Sequence, residues 1–201
     1  MENTANKITV LGTLDSLPQV SHENHGKLFY RLTLEVERLS GAVDLLPVIA
    51  SQELLNAMDL SGGSRLRVSG EIRSYNSRTE NARRLHIFIF AQKLETCDGN
   101  AENDVFLSGT ICKEPIFRRT PLGREICDVM LAVPRSYHRS DYLPCILWGR
   151  TAQEAARCSV GDHLSLQGRM QSRNYQKLTD QGPEIRTAYE ISALTAETEP
   201  L

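Results

Sequence analysis

The chain has 201 residues, of which 40% are hydrophobic and 24% are charged, and this composition is typical of a folded globular protein rather than a disordered one. No apolar stretch approaches the roughly 20 residues that a membrane-spanning helix needs, and Met1-Glu2-Asn3-Thr4 lacks the basic start of a signal peptide. The formal net charge of −2 argues at first against a nucleic-acid partner. We therefore expect a cytoplasmic protein that does not associate with membranes.

The cysteines and histidines do not form the patterns of a metal centre or a disulfide framework. The five cysteines are odd in number and include no Cys-x-x-Cys pair, and the five histidines are scattered. No P-loop, Gly-x-Ser-x-Gly or His-Glu-x-x-His motif occurs, and nothing in the sequence pairs Asp128 or Asp141 with a base or a metal ligand, as a nuclease would need. The sequence thus predicts a protein that is not an enzyme, with no catalytic residue, no metal and no cofactor.

An internal repeat organises the chain. Shifting the sequence by 97 positions aligns Gly12-Thr13 with Gly109-Thr110, and Asp44-x-Leu46-Pro47 with Asp141-x-Leu143-Pro144. A period near 97 residues is too long for a solenoid unit and matches a whole small domain. The segment between the copies is polar and lacks an apolar period, which is typical of a linker. We predict a first domain at residues 1–95, a linker at 96–104, a second domain at 105–195 and a short acidic tail at 196–201.

Both copies are predicted to be rich in β-strands. In the first copy, Ser51–Met58 occupies the position of a short helix, and in the second copy Thr151-Ala-Gln-Glu154 is a capping box that opens the corresponding helix, which runs to about Cys158. The five strands predicted in the second copy are Val105–Cys112, Arg124–Val133, Asp141–Trp148, His163–Gln171 and Glu184–Ala193. One helix between the third and fourth of five strands is the order of the oligonucleotide/oligosaccharide-binding (OB) barrel. The predicted fold is therefore all-β, with two tandem five-stranded Greek-key OB barrels.

The charge is distributed unevenly between the copies. Residues 105–195 contain 12 Lys and Arg against 9 Asp and Glu, whereas residues 1–104 contain 11 against 14. A surface for single-stranded nucleic acid needs cations along the path of the backbone and flat rings for unstacked bases. The candidate cations of the second copy, in predicted loops or on polar strand faces, are Lys113, Arg118, Arg119, Arg124, Arg135, Arg139, Arg150, Arg169, Arg173 and Lys177.

Aromatic residues alternate with these cations. Tyr142 and Trp148 are six residues apart on one predicted strand, so they share a face and lie about 20 Å apart. Phe117 and Tyr137 stand beside arginines in the two predicted loops. On the fourth strand the residues with the parity opposite to the core, which we expect to project outward together, are Arg169, Gln171, Arg173 and Tyr175. Taken alone, Trp148 would more often be a buried core residue than a stacking platform.

An ordered set of motifs makes the second copy resemble the bacterial single-stranded DNA-binding protein family. The motifs are Leu107-Ser-Gly-Thr-Ile-Cys-Lys-Glu-Pro115, Leu122-Gly-Arg124, Trp148-Gly-Arg150, Val160-Gly-Asp162 and Gly168-x-Met-x-Ser-Arg-x-Tyr175. In that family four aromatic positions stack DNA bases, and by motif they correspond to Tyr137, Tyr142, Trp148 and Tyr175. The resemblance implies binding and protection of single-stranded DNA during replication, recombination or repair, by stacking and arginine-phosphate contacts, in the cytoplasm at the nucleoid.

The first copy resembles this family only in its scaffold. The positions that match the four rings are Ser40, Leu45, Ser51 and Ser77. We therefore expect a degenerate barrel that serves as scaffold or interface. Members of the family work with four barrels, which implies a homodimer of this two-barrel chain.

The alternative interpretation is a primosome-type OB-fold adaptor that acts mainly through protein contacts. The family commonly recruits replication and repair proteins through an acidic tail with an aromatic tip, and Thr195–Leu201 lacks that pattern. This difference and the degenerate first copy favour the adaptor. If a variant without its rings loses both DNA binding and biological activity, the result favours the DNA-binding protein instead.

Overall fold

A computed structural model describes residues 4–79, 82–179 and 182–199, and most of these residues lie in strands. The elements are β1 (Asn6–Leu14), β2 (Gln19–Asn24), β3 (Lys27–Glu37), β4 (Val43–Ser51), α1 (Gln52–Asn56), β5 (Arg65–Thr79), β6 (Ala82–Thr96), β7 (Glu102–Ile111), β8 (Ile116–Arg119), β9 (Glu125–Arg135), β10 (Arg139–Trp148), α2 (Gly149–Ala155), β11 (His163–Thr179) and β12 (Gly182–Glu199). Neither helix in these ranges has the length or the apolar character to span a bilayer.

Each half of the chain closes into a barrel. In the C-terminal barrel, β7 pairs with β9, β9 with β10, β10 in parallel with β12, β12 with β11, and β11 again with β7. The N-terminal barrel repeats this circuit with β1, β3, β4, β6 and β5. The inward faces carry fully buried aliphatic side chains, among them Val10, Leu34, Leu46, Leu107, Leu131 and Leu164. With one helix between the third and fourth strands of each circuit, the two-OB-barrel prediction is confirmed.

The observed elements differ from the predicted ones in two local features. Each barrel has a sixth short strand, β2 or β8, which forms a hairpin with β3 or β9; both strands are exposed on both faces and therefore lack the alternation that predicts a strand. Helix α2 begins at Gly149 rather than at Thr151, whose hydroxyl donates to the carbonyl of Trp148 at 2.8 Å. In α1, Ser51 Oγ accepts a hydrogen bond from the backbone N–H of Leu54, as an N-cap does.

The last two strands of each barrel form long hairpins. Strand β11 continues eight residues beyond the predicted end at Gln171, and β12 continues beyond Ala193. Residues 196–199, predicted as part of a tail, instead pair with residues 163–166 of β11. The predicted linker is also shorter, because β6 ends at Thr96 and β7 begins at Glu102. The outer part of β11, residues 173–178, is exposed along its whole length, so it carries no apolar period.

Two glycines allow the paired strands of each hairpin to approach closely at a β-bulge. Gly70 and Gly168 stand at the register shifts of β5 and β11, at β-bulges. A Cβ atom at Gly70 would collide with the carbonyl oxygen of Phe90, and one at Gly168 with that of Ser192. The repeat keeps glycine at both positions because no side chain fits between the paired backbones.

The two barrels form one continuous sheet. Strands β1 and β7 pair antiparallel, with Ile8 opposite Val105, so the twelve strands follow the order β2-β3-β4-β6-β5-β1-β7-β11-β12-β10-β9-β8. Beside the seam, Asn6 donates to the carbonyl of Ile72 on β5 at 2.7 Å and accepts from its N–H at 2.9 Å. Asn103 makes the same two hydrogen bonds, at the same distances, with Met170. The seam therefore has an approximate two-fold axis.

A pair of buried aspartates ties each barrel to the hairpin of the other. Asp44 accepts hydrogen bonds from the N–H and hydroxyl of Ser172 at 2.6 and 3.1 Å. It also accepts hydrogen bonds from two guanidinium nitrogens of Arg38. The matching aspartate, Asp141, accepts from the N–H of Ser74 at 2.7 Å. We call these two contacts the aspartate clasps.

Candidate nucleic-acid interface

The outer surface of the C-terminal barrel is built where β10, β12 and β11 lie side by side. The alternation of β10 buries Leu143 and turns Tyr142 and Trp148 outward. The β11–β12 register places Arg173 opposite Ala188 and Tyr175 opposite Arg186, on this same outer side. We call the surface formed by Tyr142, Trp148, Arg173 and Tyr175 the ring face.

Trp148 is the least accessible ring of the ring face. It is half-buried, and its Nε1 donates a hydrogen bond of 3.0 Å to Ser192 Oγ on β12. This bond fixes the plane of the indole and occupies its polar edge, as is usual for a partly buried tryptophan. The remaining surface of the ring is available to a ligand only in a fixed orientation.

The two tyrosines of the ring face are more accessible. Tyr142 is 45% exposed and Tyr175 is 39% exposed. The guanidinium carbon of Arg173 lies 5.9 Å from the centre of the Tyr175 ring, within the range of a cation–π contact. Arg173 Nε is 3.8 Å from a carboxylate oxygen of Glu190, so this cation is only weakly held and is largely exposed.

We expected Arg169 and Gln171 of β11 to project into solvent, and the structure places them differently. Gln171 is buried and donates a hydrogen bond of 2.8 Å to Glu190, which is buried as well. Arg169 is half-buried, and its Nε is enclosed without a hydrogen-bond partner among the described atoms. The prediction that all four outward residues of this strand are exposed together is therefore wrong for Gln171, because Glu190 on the neighbouring strand takes up its amide.

Tyr137 and Phe117 lie away from the ring face. Tyr137 is 92% exposed at the turn between β9 and β10, where it and His138 have positive φ angles of 62° and 54°. Phe117 pairs with Cys127, a core residue, so its side chain leaves β8 on the side opposite to Arg118. Phe117 is exposed, but it cannot share a flat surface with Trp148.

The candidate cations divide into paired and unpaired groups. The ion pairs are Arg118–Asp128 at 2.6 Å, Arg119–Glu125 at 2.8 Å, Arg135–Asp141 at 3.2 Å and Arg150–Glu154 at 2.9 Å. Among the candidate cations, those that are exposed and form no ion pair within the described ranges are Lys113, Arg124, Arg139 and Lys177. The exposed pairs are weakly stabilising, so a phosphate can compete for their arginines.

Arg135 has a structural environment that the sequence did not predict. Its partner Asp141 is buried within an aspartate clasp, and the pKa of that carboxyl is raised by burial, an effect that the N–H of Ser74 and the positive charges of Arg135 and Arg73 oppose. Arg135 itself is mostly covered. Its guanidinium group neutralises the buried carboxylate of Asp141, so little of the guanidinium surface can contact a phosphate.

A groove of about 960 Å³ lies between the two barrels, bounded by their long hairpins. The C-terminal barrel contributes two predicted residues, Tyr175 and Lys177, together with Arg186. The N-terminal barrel contributes Tyr75, His86, Phe88 and Arg84, none of which was predicted as a binding residue. The groove thus joins one end of the ring face to the N-terminal barrel.

The N-terminal barrel carries a pair of stacked rings at a position that does not match any of the four stacking positions of the family. Tyr75 stacks on His86 with ring centres 4.6 Å apart and planes at 6°. In the repeat Tyr75 matches Arg173, not one of the four ring positions, where Ser77 stands. In the sequence, the only sign of this ring pair is the alternation of Arg73, Tyr75 and Ser77 on one side of β5. That sign could be interpreted only once the structure showed that this hairpin leaves the barrel.

Among the described residues, no group of three or more His, Cys, Asp or Glu side chains is placed to hold a metal ion. The described cysteines are all free thiols. Burial raises the pKa of Cys127 to about 11, so this thiol stays protonated near neutral pH.

The fold and the ring face define the class: a tandem OB-fold protein with exposed rings and cations on one barrel. The model of the Single-strand binding protein family matches residues 102–198. Single-stranded DNA-binding protein B of Bacillus subtilis is 37% identical over 81 residues, which cover 37% of this chain and 72% of that protein. Single-stranded DNA-binding protein 2 of Listeria innocua is 33% identical over 81 residues, again 37% of this chain but only 51% of that protein.

A solved structure resembles the whole chain. The wild-type single-stranded DNA binding protein from Thermus aquaticus is 21% identical, with a TM-score of 0.79 over 98% of this chain and 93% of that one. This likeness extends the shared fold to both barrels. The chain belongs to the single-strand binding protein family.

Proposed function

We propose that this chain binds single-stranded DNA without strong sequence preference, chiefly on its C-terminal barrel. The ring face carries this proposal, because it presents Tyr142, Trp148 and Tyr175 on one outer surface beside Arg173. Stacked bases contribute roughly 1–3 kcal/mol each, and every base offers a π face. The relatives named above, single-stranded DNA-binding proteins by name, support the same assignment.

Tyr137 and the exposed cations extend the proposed path beyond the ring face. Tyr137 stands free at a turn beside Arg139, and Lys113, Arg124 and Lys177 are exposed on the same barrel. A flexible strand would meet these groups as it leaves the tyrosines. Phe117, on the other side of β8, would serve only a strand that passes around the edge of the sheet.

The proposed role is the protection of single strands during replication, recombination or repair in the cytoplasm, at the nucleoid. A homodimer would bring four OB barrels together, with the N-terminal barrel as scaffold. Native mass measurement with and without an oligonucleotide of about 35 bases, chosen from roughly 4–16 nucleotides per barrel, tests assembly and stoichiometry together. A monomer in both conditions would contradict the dimer.

Binding of oligo(dT) is expected to quench the fluorescence of Trp148 strongly, because it is the single tryptophan of the chain and its ring lies on the ring face. The measurement is a titration at fixed protein concentration, followed in parallel by the anisotropy of a labelled oligonucleotide. Trp148→Phe is the control, since it keeps a ring and removes the signal. Binding seen by anisotropy with unchanged emission would exclude Trp148 from the site.

The affinity is expected to fall with salt, at a log–log slope of about −0.7 for each phosphate contacted. Arg139→Gln removes an exposed cation without an ion pair among the described residues, and it should reduce the magnitude of the slope by about 0.7. Arg157→Gln, at an exposed position after α2, is the control and should leave the slope unchanged. A slope near zero for the unmodified protein would rule out the phosphate contacts.

A further inference from the structure

The groove between the barrels has the composition of a binding site rather than of a packing defect. Residues of both barrels line it, including Pro47 of β4 and Pro144 of β10, which match each other in the repeat. Its walls are the hairpins β5–β6 and β11–β12. Among the lining residues that the structure describes, none is Asp or Glu, although the chain as a whole is acidic.

The N-terminal wall of the groove presents a supported ring. One face of Tyr75 is covered by the imidazole of His86, and the edge of Phe88 approaches it with ring centres 6.0 Å apart and planes at 63°. Ser77 Oγ lies 2.8 Å from His86 Nε2 and holds the imidazole in place. Tyr75 is nevertheless 54% exposed, so its other face is open to the groove.

Cations line both walls of the groove. Arg84 and Lys177 are exposed and form no ion pair within the described ranges, although both attract the carboxylate of Glu184. That carboxylate is bound to Arg186 at 2.7 Å. Burial and the positive charge of Arg84 both lower the pKa of His86, so the imidazole beneath Tyr75 is neutral at neutral pH. Positive charge is thus placed at the rim, and the stacked pair itself is uncharged.

We infer that the groove holds a segment of the same single strand that the ring face binds, with one unstacked base on Tyr75 and adjacent phosphates beside Arg84 and Lys177. This inference rests on the proposed function and adds a contact from the N-terminal barrel. Tyr175 lines the groove and belongs to the ring face, so the strand passes between barrels without a gap. The excess of cations selects a polyanion over an apolar peptide as the occupant.

The test compares Tyr75→Leu with Tyr30→Leu, which removes a tyrosine of the same barrel that does not line the groove. The dissociation constant for an oligo(dT) of about 35 bases should rise about 5- to 140-fold for Tyr75→Leu, the value of one stacked base, and stay unchanged for Tyr30→Leu. The exposure of Tyr75 makes misfolding of this variant unexpected, and circular dichroism checks it.

A second variant keeps the result interpretable if the tyrosine change disturbs the hairpin. Arg84→Gln should reduce the magnitude of the salt slope by about 0.7, whereas Lys93→Gln, in the same barrel but outside the groove, should not.

Unchanged affinity and slope for both groove variants, with tight binding by the unmodified chain, would overturn this inference and leave the proposed function intact. Unchanged affinity with an altered native mass would show that a second copy fills the groove, and it would also overturn the inference. Failure of the unmodified chain to bind would overturn both.

Discussion

The double replacement Tyr142→Ala and Tyr175→Ala is expected to weaken oligo(dT) binding by at least about 30-fold, because two stacked bases contribute roughly 1–3 kcal/mol each. Both rings are exposed and neither belongs to the core, so the barrel should remain folded. Fluorescence anisotropy of a labelled oligonucleotide measures the affinity, and a urea titration checks the fold.

The repeat supplies a matched control for this experiment. Leu45 occupies the position of Tyr142 in the N-terminal barrel and has the same exposed fraction, 45%. Leu45→Ala removes a similar apolar surface but no ring, and it should leave the affinity unchanged. Unaltered binding by the tyrosine variant would show that DNA does not lie on the ring face, and biological activity retained without DNA binding would favour the adaptor.

The replacement Asp44→Ala is expected to lower the free energy of unfolding by about 3 to 5 kcal/mol, the cost of removing one partner of a buried ion pair. Asp44 is fully buried, and its loss leaves Arg38 and the N–H of Ser172 without their acceptor. Asp141→Ala should cost less, because one oxygen of Asp141 has no hydrogen-bond partner among the described atoms. Urea unfolding curves of the two variants give both values.

A double-mutant cycle separates the clasp from simple loss of packing. Arg38→Ala combined with Asp44→Ala removes both charges and should be less destabilising than the sum of the single changes. Asp59→Ala, in an exposed loop position, is the control and should change the stability little. A loss below about 1 kcal/mol for Asp44→Ala, the level of a surface pair, would show that the clasp contributes little to the stability of the fold.

The repeat in the sequence also relates the residues of the two clasps, which the sequence analysis did not predict. It matched Arg38 with Arg135, Asp44 with Asp141 and Ser74 with Ser172, and each of these pairs occupies an aspartate clasp. We predicted Arg135 as a phosphate contact because it is a cation on a polar face beside a predicted loop. Its role in the clasp was not predictable, because the clasp joins residues 67 or 128 positions apart. No local pattern reports such a contact.

The barrel strands were predictable because one face of each is apolar, and the alternation of Cys127, Val129 and Leu131 shows this directly. The outer parts of the hairpins were not predictable, because neither of their faces packs against the core. For the same reason Tyr75 and His86 could not be recognised as a pair: they stand on different strands, and only the β5–β6 register brings them into contact.

The pairing of β1 with β7 joins two barrels that a single peptide chain already tethers. An association of this kind occurs within one molecule, so its extent does not depend on protein concentration, and dilution cannot separate the halves as it separates free subunits. Each half is also encoded separately, which allows a substitution in one barrel without the same substitution in the other. The tether therefore permits the two barrels to diverge, as at Tyr142 and Leu45, which occupy equivalent positions but differ in the aromatic ring that stacking requires.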